Sequence, residues 1–376
     1  MQDYNSDGNF FVISSENYYD LNNYLEEQSI SENVGQESIT LIARDDGQNN
    51  TLQSTFSNNG KSTNANPLHT TKHLSENYID HDYNDDDINF IAAGDWNCNK
   101  ETKKTIKKIN KLDPELVLGL GDYTFKSISP QCWFEISKPI DDKLKIAIGN
   151  HDLDYQSSYY QLLNHYNLQE PYYSFNFYNI HFLAISSEHP FEKGSKQYEF
   201  IKKDLEESLN DTSILWRIVY LHKPMYTSAD FDKKDSRELK NTFHQLFEKY
   251  RIDLVLSGHT QYYQRSLPLV YNKDNDTIPL VVDYNNIGYN NKDGVIFITA
   301  GTAGDKIHKI AYHLPYYTIQ KGKFGFLNFD LKNNGHELIG TFYDTDDLDI
   351  LDKFVISKDR NGGKKITSTD KEVGLF

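Results

Sequence analysis

Residues 88–95 read INFIAAGD, an almost unbroken apolar run that stops on a carboxylate. The same shape recurs along the chain: LVLGLGD at 116–122, KIAIGNHD at 145–152, IHFLAIS at 180–186, WRIVYLHKP at 216–224 and LVLSGHT at 254–260. Runs of this length without polar alternation suit strands buried on both faces, as in a sheet covered by helices. Between some of them lie helical patterns. Tyr198, Ile201, Leu205 and Leu209 recur at helical spacing, as do Leu239, Phe243, Leu246, Phe247 and Tyr250, and more weakly Ile106, Ile109 and Leu112. Strands alternating with helices predict an α/β layered fold with its polar clusters at the carboxyl ends of the strands. From Phe324 onward, GFLNFDL, HELIGTFYD and KFVIS read as a closing β meander, with a hairpin turn at Asn333-Asn334-Gly335.

Upstream of Ile88 the composition changes. Residues 1–87 carry 16 acidic against 3 basic side chains and are rich in Asn, Ser, Asp and Gln, so most of the formal charge of −16 sits there. Such a segment buries too little apolar surface to offset its ordering entropy. It is expected to be an acidic disordered tail, with residues 88–376 forming one domain. The domain is close to neutral, which argues against a lysine- and arginine-lined nucleic-acid groove and against a basic membrane-binding patch. No apolar run approaches the roughly 20 residues that cross a bilayer, and the first residues lack the basic and apolar blocks of a signal peptide. These features predict a cytoplasmic protein without nucleic-acid or membrane partners. Two cysteines, Cys98 and Cys132, allow at most one internal disulfide. Their expected state is two buried apolar thiols.

The strand ends carry the chemistry: Asp95, Asp122, Asn150 with His151 and Asp152, His222, and His259. Carboxylates and imidazoles crowded into one crevice would repel or stay unpaired without a cation. A dinuclear centre resolves this, with one carboxylate bridging two ions about 3.5–4 Å apart that ionise water and clamp a phosphoryl group.

The series GDWNC, GDY, GNHD, LHKP and GHTQ resembles the five-block signature of the calcineurin-like metallophosphoesterases. The flanks SSEHPFEKGSKQYEFIKKDL, HKPMYTS, YYQRSLP and GTAG are most similar to the purple acid phosphatase-like branch. The resemblance spans about Ile88 to Lys358. It implies the layered metallophosphoesterase fold, two divalent or trivalent metal ions (Mn, Mg, Fe or Zn) and a small phosphorylated substrate. It also implies hydrolysis of phosphomonoesters by hydroxide held on the metals. On the residues of this chain, Asp122 would bridge the ions. Asn150, His222 and His259 would complete the second position, Asp95 would belong to the first, and His151 with Asp152 would serve as catalytic groups beside the leaving group or phosphate.

The pattern departs from that family at the first position alone. Where the resemblance implies a histidine after the first-block Asp or a tyrosine after the bridging Asp, together with a second histidine in the last block, this chain has Asn97, Phe125 and Gln261. Phenylalanine ligates nothing, whereas Asn97 and Gln261 offer carbonyl oxygens suited to hard ions such as Mn²⁺ or Mg²⁺. The second position is therefore the more certain of the two. The alternative functions are a catalytically impaired relative that still binds metal or phosphate, and a phosphodiesterase or nucleotidase. His189 and His308 lie in loops that can face the crevice.

Overall fold

The computed structural model describes residues 39–43, 52–56, 88–125, 129–229, 233–290, 293–310 and 312–359. Two compact units divide the chain, 1–80 and 81–376. In the first, β1 (Ile39–Ala43) pairs antiparallel with β2 (Leu52–Phe56), an element that the reading of the leader as disordered does not contain. The rest of that predicted tail lies outside the described residues.

The second unit holds two seven-stranded sheets. In the first sheet β3 (Ile88–Ala93), β4 (Leu116–Gly119) and β5 (Leu144–Ile146) run parallel, as the apolar runs predict. Its antiparallel half is the predicted meander of β16 (Gly325–Lys332), β17 (Glu337–Asp344) and β18 (Ile350–Ser357), edged by β13 (Gly288–Asn290). The β16–β17 hairpin turns at Asn333, Asn334 and Gly335, all at positive φ. In the second sheet β7 (Ile180–Ala184), β8 (Trp216–Tyr220), β9 (Leu254–Ser257) and β14 (Ile296–Ala300) are parallel. Its remaining strands, β6 (Tyr173–Phe177), β10 (Tyr263–Ser266) and β15 (Tyr317–Lys321), pair antiparallel. A short pair, β11 (Leu269–Val270) and β12 (Leu280–Val281), stands apart.

The sheets pack face to face through one apolar layer. Phe90 meets Phe182 edge-on at 5.2 Å and Tyr263 stacks on Phe342 at 3.9 Å, joining one sheet to the other. Each such fully buried side chain contributes roughly 1.5–3 kcal/mol. Helices cover both outer faces, giving the predicted α/β layered architecture. On the first sheet lie α1 (Lys100–Leu112), α2 (Pro130–Ser137) and α3 (Gln156–His165); on the second lie α4 (Lys196–Asn210) and α5 (Lys233–Lys249). In α1, Thr102, Thr105, Ile106, Ile109 and Leu112 form the buried stripe and lysines take the opposite face. Its N-terminus is capped by Asn99, whose side-chain oxygen accepts the N–H groups of Glu101 (2.8 Å) and Thr102 (3.0 Å).

The cysteines correct the expectation of separate thiols. The loop after β3 meets the start of α2, so Cys98 and Cys132 stand 6.2 Å apart at Cα and form a disulfide. Sequence spacing alone carries no such proximity. No helix among the described residues is long and apolar enough to cross a membrane.

Candidate metal centre

Both parallel arrays point their carboxyl ends at one seam between the sheets. β3, β4 and β5 deliver Asp95, Asp122 and Asn150; β8 and β9 deliver His222 and His259. The chain leaves three of these strands through a left-handed residue, with φ 60° at Asp95, 59° at Asp122 and 70° at His259. Asp, Asn and His tolerate that region better than other non-glycine residues, which suits them to a sharp exit that turns the side chain into the seam. Two glycines make room. A Cβ on Gly121 would lie 2.5 Å from His222 Nδ1, and one on Gly149 would collide with the Asp122 carboxylate.

The ligand atoms of Asp122, His222 and His259 lie within 4.8 Å of one another. His222 Nδ1 donates to the Leu120 carbonyl at 2.8 Å, which fixes the tautomer and turns the Nε2 lone pair inward. Around Nε2 sit Asn150 Oδ1 at 3.1 Å, Asp122 Oδ2 at 3.2 Å and His259 Nδ1 at 3.1 Å. Bonds of about 2.0–2.1 Å at tetrahedral angles put ligand atoms roughly 3.3 Å apart, so the set fits one divalent ion. Charge tells the same story. Burial opposes a charged His222 ring, but the Asp122 and Asp95 carboxylates outweigh it and push the group up to about 10. Burial likewise works to raise Asp122, yet His222 and His151 hold it below the usual carboxylate range. These groups therefore favour a positive charge among them, which a metal supplies more fully than a proton.

Asp95 is fully buried beside this set. Its Oδ2 accepts the His259 N–H at 2.6 Å, while Oδ1 has no hydrogen-bond partner. Burial pushes its carboxyl up to about 8, opposed by His222 and assisted by Asp122 and Asp305. Asn97 and Gln261 also sit at positive φ, 60° and 49°. Asn97 spends its carbonyl oxygen on the Cys98 N–H at 2.6 Å, so it does not offer that oxygen freely to an ion. Gln261 Oε1 is buried without a partner. Tyr123 is buried against Trp133, ring centroids 4.8 Å apart, and its hydroxyl accepts the Gly121 N–H.

The two expected catalytic groups separate. His151 is partly exposed, packs against the tilted Phe125 ring at 4.4 Å and pairs through Nδ1 with Asp154 at 3.0 Å. Its backbone N–H donates to Asp122 Oδ1 at 2.9 Å. Asp152 instead is fully buried and acts on backbone. Its Oδ2 accepts from Asp122 N (3.0 Å) and Gly149 N (2.9 Å), its Oδ1 from Tyr123 N (2.8 Å) and Thr124 N (3.0 Å). This corrects its expected place beside the phosphate: it ties the β4 loop to the β5 loop and offers no free oxygen. His189 lies between Ser186 Oγ and Tyr159 Oη at 3.0 and 3.1 Å. His308 lies beside Gln261, donating its N–H to the Gln261 carbonyl at 3.0 Å.

Sequence reasoning missed Asp154, which follows the GNHD block by two residues, and Asp305. The latter had a signal: VIFITA at 295–300 is one more apolar run, and it ends in GTAGD.

Residues 88–263 match the family model described as calcineurin-like phosphoesterase. The chain is 26% identical over 224 residues to probable purple acid phosphatase 20 of Arabidopsis thaliana, covering 54% of this chain and 51% of that one. It is 23% identical to a nucleotide pyrophosphatase/phosphodiesterase of Hordeum vulgare, covering 69% of this chain and 75% of the relative. Its fold is similar to that of a purple acid phosphatase from yellow lupin seeds, with a TM-score of 0.64, 21% identity, and coverage of 73% of this chain and 55% of that one. The chain spans about half the length of the purple acid phosphatase from Arabidopsis that it matches.

Proposed function

We propose that the chain, whose residues 88–263 match the calcineurin-like phosphoesterase family and which is similar to purple acid phosphatases, is a metal-dependent hydrolase of phosphomonoesters. The observation that carries the reading is the convergence of Asp122, Asn150 and His259 on the inward lone pair of His222 Nε2 at spacings that one ion satisfies. Bound metal ions supply a Lewis acid and lower the pKa of a coordinated water toward neutrality. The protein's own groups do the rest. Asp122, Asn150, His222 and His259 hold the second position, and Asp95 holds the first. The Asp154 carboxylate and the Phe125 ring orient His151, whose Nε2 is left to hydrogen-bond the phosphoryl group or protonate the departing alkoxide. Asp152 keeps Asp122 and Asn150 in register by gripping both loops.

The test is metal content by elemental analysis together with hydrolysis of p-nitrophenyl phosphate after loading with Mn²⁺, Mg²⁺, Zn²⁺ or Fe. Metal-dependent turnover is expected. Metal-loaded protein without turnover would overturn the enzyme reading and favour the second one, a metal- or phosphate-binding relative, whose support is Phe125 and the occupied Asn97 carbonyl. Parallel assays with bis-p-nitrophenyl phosphate separate monoesterase from diesterase. The disulfide supports an oxidising compartment over the cytoplasm expected from the sequence; mass spectrometry of the native protein under non-reducing conditions, with Cys98 and Cys132 recovered unlinked, would count against this.

A further inference from the structure

β14 ends at Ala300 and continues through Gly301-Thr302-Ala303-Gly304 to Asp305. Asp305 donates its N–H to the Asp95 carbonyl at 2.8 Å, which brings the loop to the edge of the metal centre. Its carboxylate is held at both ends. Asn97 Nδ2 donates to Oδ1 at 2.7 Å, and Gln261 Nε2 donates to Oδ2 at 2.7 Å. Thus both residues that stand in place of expected histidine ligands turn their amide nitrogens toward one carboxylate.

Those bonds leave a specific residue of unmet capacity. Gln261 is 4% exposed and Asp95 0%, and each has one buried oxygen, Oε1 and Oδ1, with no donor. Buried acceptors without partners are costly and rare. Each Asp305 oxygen accepts one amide and keeps a lone pair, since a carboxylate has about four acceptor sites. Carboxylates that ligate metals are themselves commonly hydrogen-bonded in this way.

We infer that Asp305 is a metal ligand which, with Asp95 Oδ1 and Gln261 Oε1, forms an oxygen-only first position selective for a hard divalent cation such as Mn²⁺ or Mg²⁺. Asn97 is a positioning residue for Asp305, because its own carbonyl is taken by Cys98. The inference rests on the metal-centre reading above and deepens it. The two positions then differ in kind: three oxygens with waters at the first, and two imidazoles with Asn150 and Asp122 at the second. The one-sided loss of histidines becomes a change of metal preference.

The experiment is a Mn²⁺ titration of the full chain, with bound ion counted from the electron paramagnetic resonance signal of free Mn²⁺. Wild type, Asp305→Asn, His259→Ala and the double variant are compared. Two ions are expected in wild type, one in each single variant and none in the double variant, and Zn²⁺ is expected to displace one of the wild-type pair. Two ions retained in Asp305→Asn, or one ion in both wild type and Asp305→Asn, would overturn the inference. Thermal melting guards against a folding artefact. Asp305→Asn is expected to melt with wild type in EDTA and to lose part of the Mn²⁺-dependent rise; an equal drop in EDTA and in Mn²⁺ would mark a structural role and overturn the assignment. Phosphomonoester turnover is read separately. Loss of one ion in Asp305→Asn without turnover in wild type would leave this site standing and remove the hydrolase reading, whereas turnover with an unchanged ion count would do the reverse.

Discussion

At the scale of single residues, two neighbours in one motif have opposite roles. His151 faces outward on the Asp154 carboxylate, and Asp152 is sealed beneath it with four backbone N–H groups on its two oxygens. His151→Ala is expected to leave metal content unchanged and to lower kcat by about 10²- to 10⁴-fold, the usual range for a lost acid–base group; loss of metal instead would assign His151 to the ligands. Asp152→Asn halves the acceptor capacity facing those amides. It should cost on the order of 2–4 kcal/mol, read as a lower urea midpoint, together with weaker metal binding. An unchanged midpoint would mean that the loops do not depend on this carboxylate. The candidate ligands Asp95, Asp122, Asn150, His222 and His259 were legible because each ends an apolar run. The difference between His151 and Asp152 was not, since side-chain direction inside a tight turn leaves no mark on spacing.

At the scale of elements, β3, β4, β5, β7, β8 and β9 were read because their burial on both faces leaves continuous apolar runs, whereas β14, with the same kind of run, and the antiparallel β6, β10 and β15 were not read. The helices α1, α4 and α5 were read from their stripes. Helices α2 and α3 escaped, although Ser129 and Pro130 mark the start of α2 in a typical cap arrangement, with the Ser129 hydroxyl accepting the Gln131 N–H. Both are short, at 8 and 10 residues, so each offers too few turns to show a period. The start of α1 is the element junction most exposed to test. Asn99 caps the helix and also donates from Nδ2 to the Gly304 carbonyl at 2.6 Å, in the loop that carries Asp305. Asn99→Ala is expected to lower stability by about 1 kcal/mol from the cap alone and to weaken Mn²⁺ binding through that loop. Melting with and without Mn²⁺ measures both effects, and a purely metal-independent loss would show that the Gly304 contact is incidental.

At the scale of the whole molecule, stability should depend on pH through a group that is not part of the metal centre. His244 on α5 is buried, accepts from the Tyr226 hydroxyl at Nδ1 and donates from Nε2 to the Leu269 carbonyl, with Glu248 at 3.4 Å. Burial, assisted by Lys240 and opposed by the Leu269 bond, lowers it to about 3 from an ordinary 6.5. Below pH 6.5 the unfolded chain takes a proton that the folded chain refuses. Stability therefore falls as pH drops from about 6.5 toward 3, by up to about 1.4 kcal/mol per unit. His244→Gln keeps an acceptor and a donor but does not titrate, so its urea midpoints should fall less steeply over that range; identical slopes would assign the acid limb elsewhere. Reduction of the disulfide is expected to lower the melting temperature, because the 34-residue separation it closes is worth up to about 4 kcal/mol on the loop-entropy account. The seam itself has a kinetic consequence. Asp95, Asp122 and Asn150 come from one sheet, while His222 and His259 come from the other, so ions bound among them would add a cross-link to the few hydrogen bonds, such as His259 N–H to Asp95 and His222 Nδ1 to the Leu120 carbonyl, that already join the two halves at that edge. Loaded protein should then open rarely as a whole, and chelation should speed amide exchange at the carboxyl ends of β3, β4, β8 and β9 together, as one cooperative event, while the β17–β18 pair, separated from β3 by β16, exchanges at its former rate.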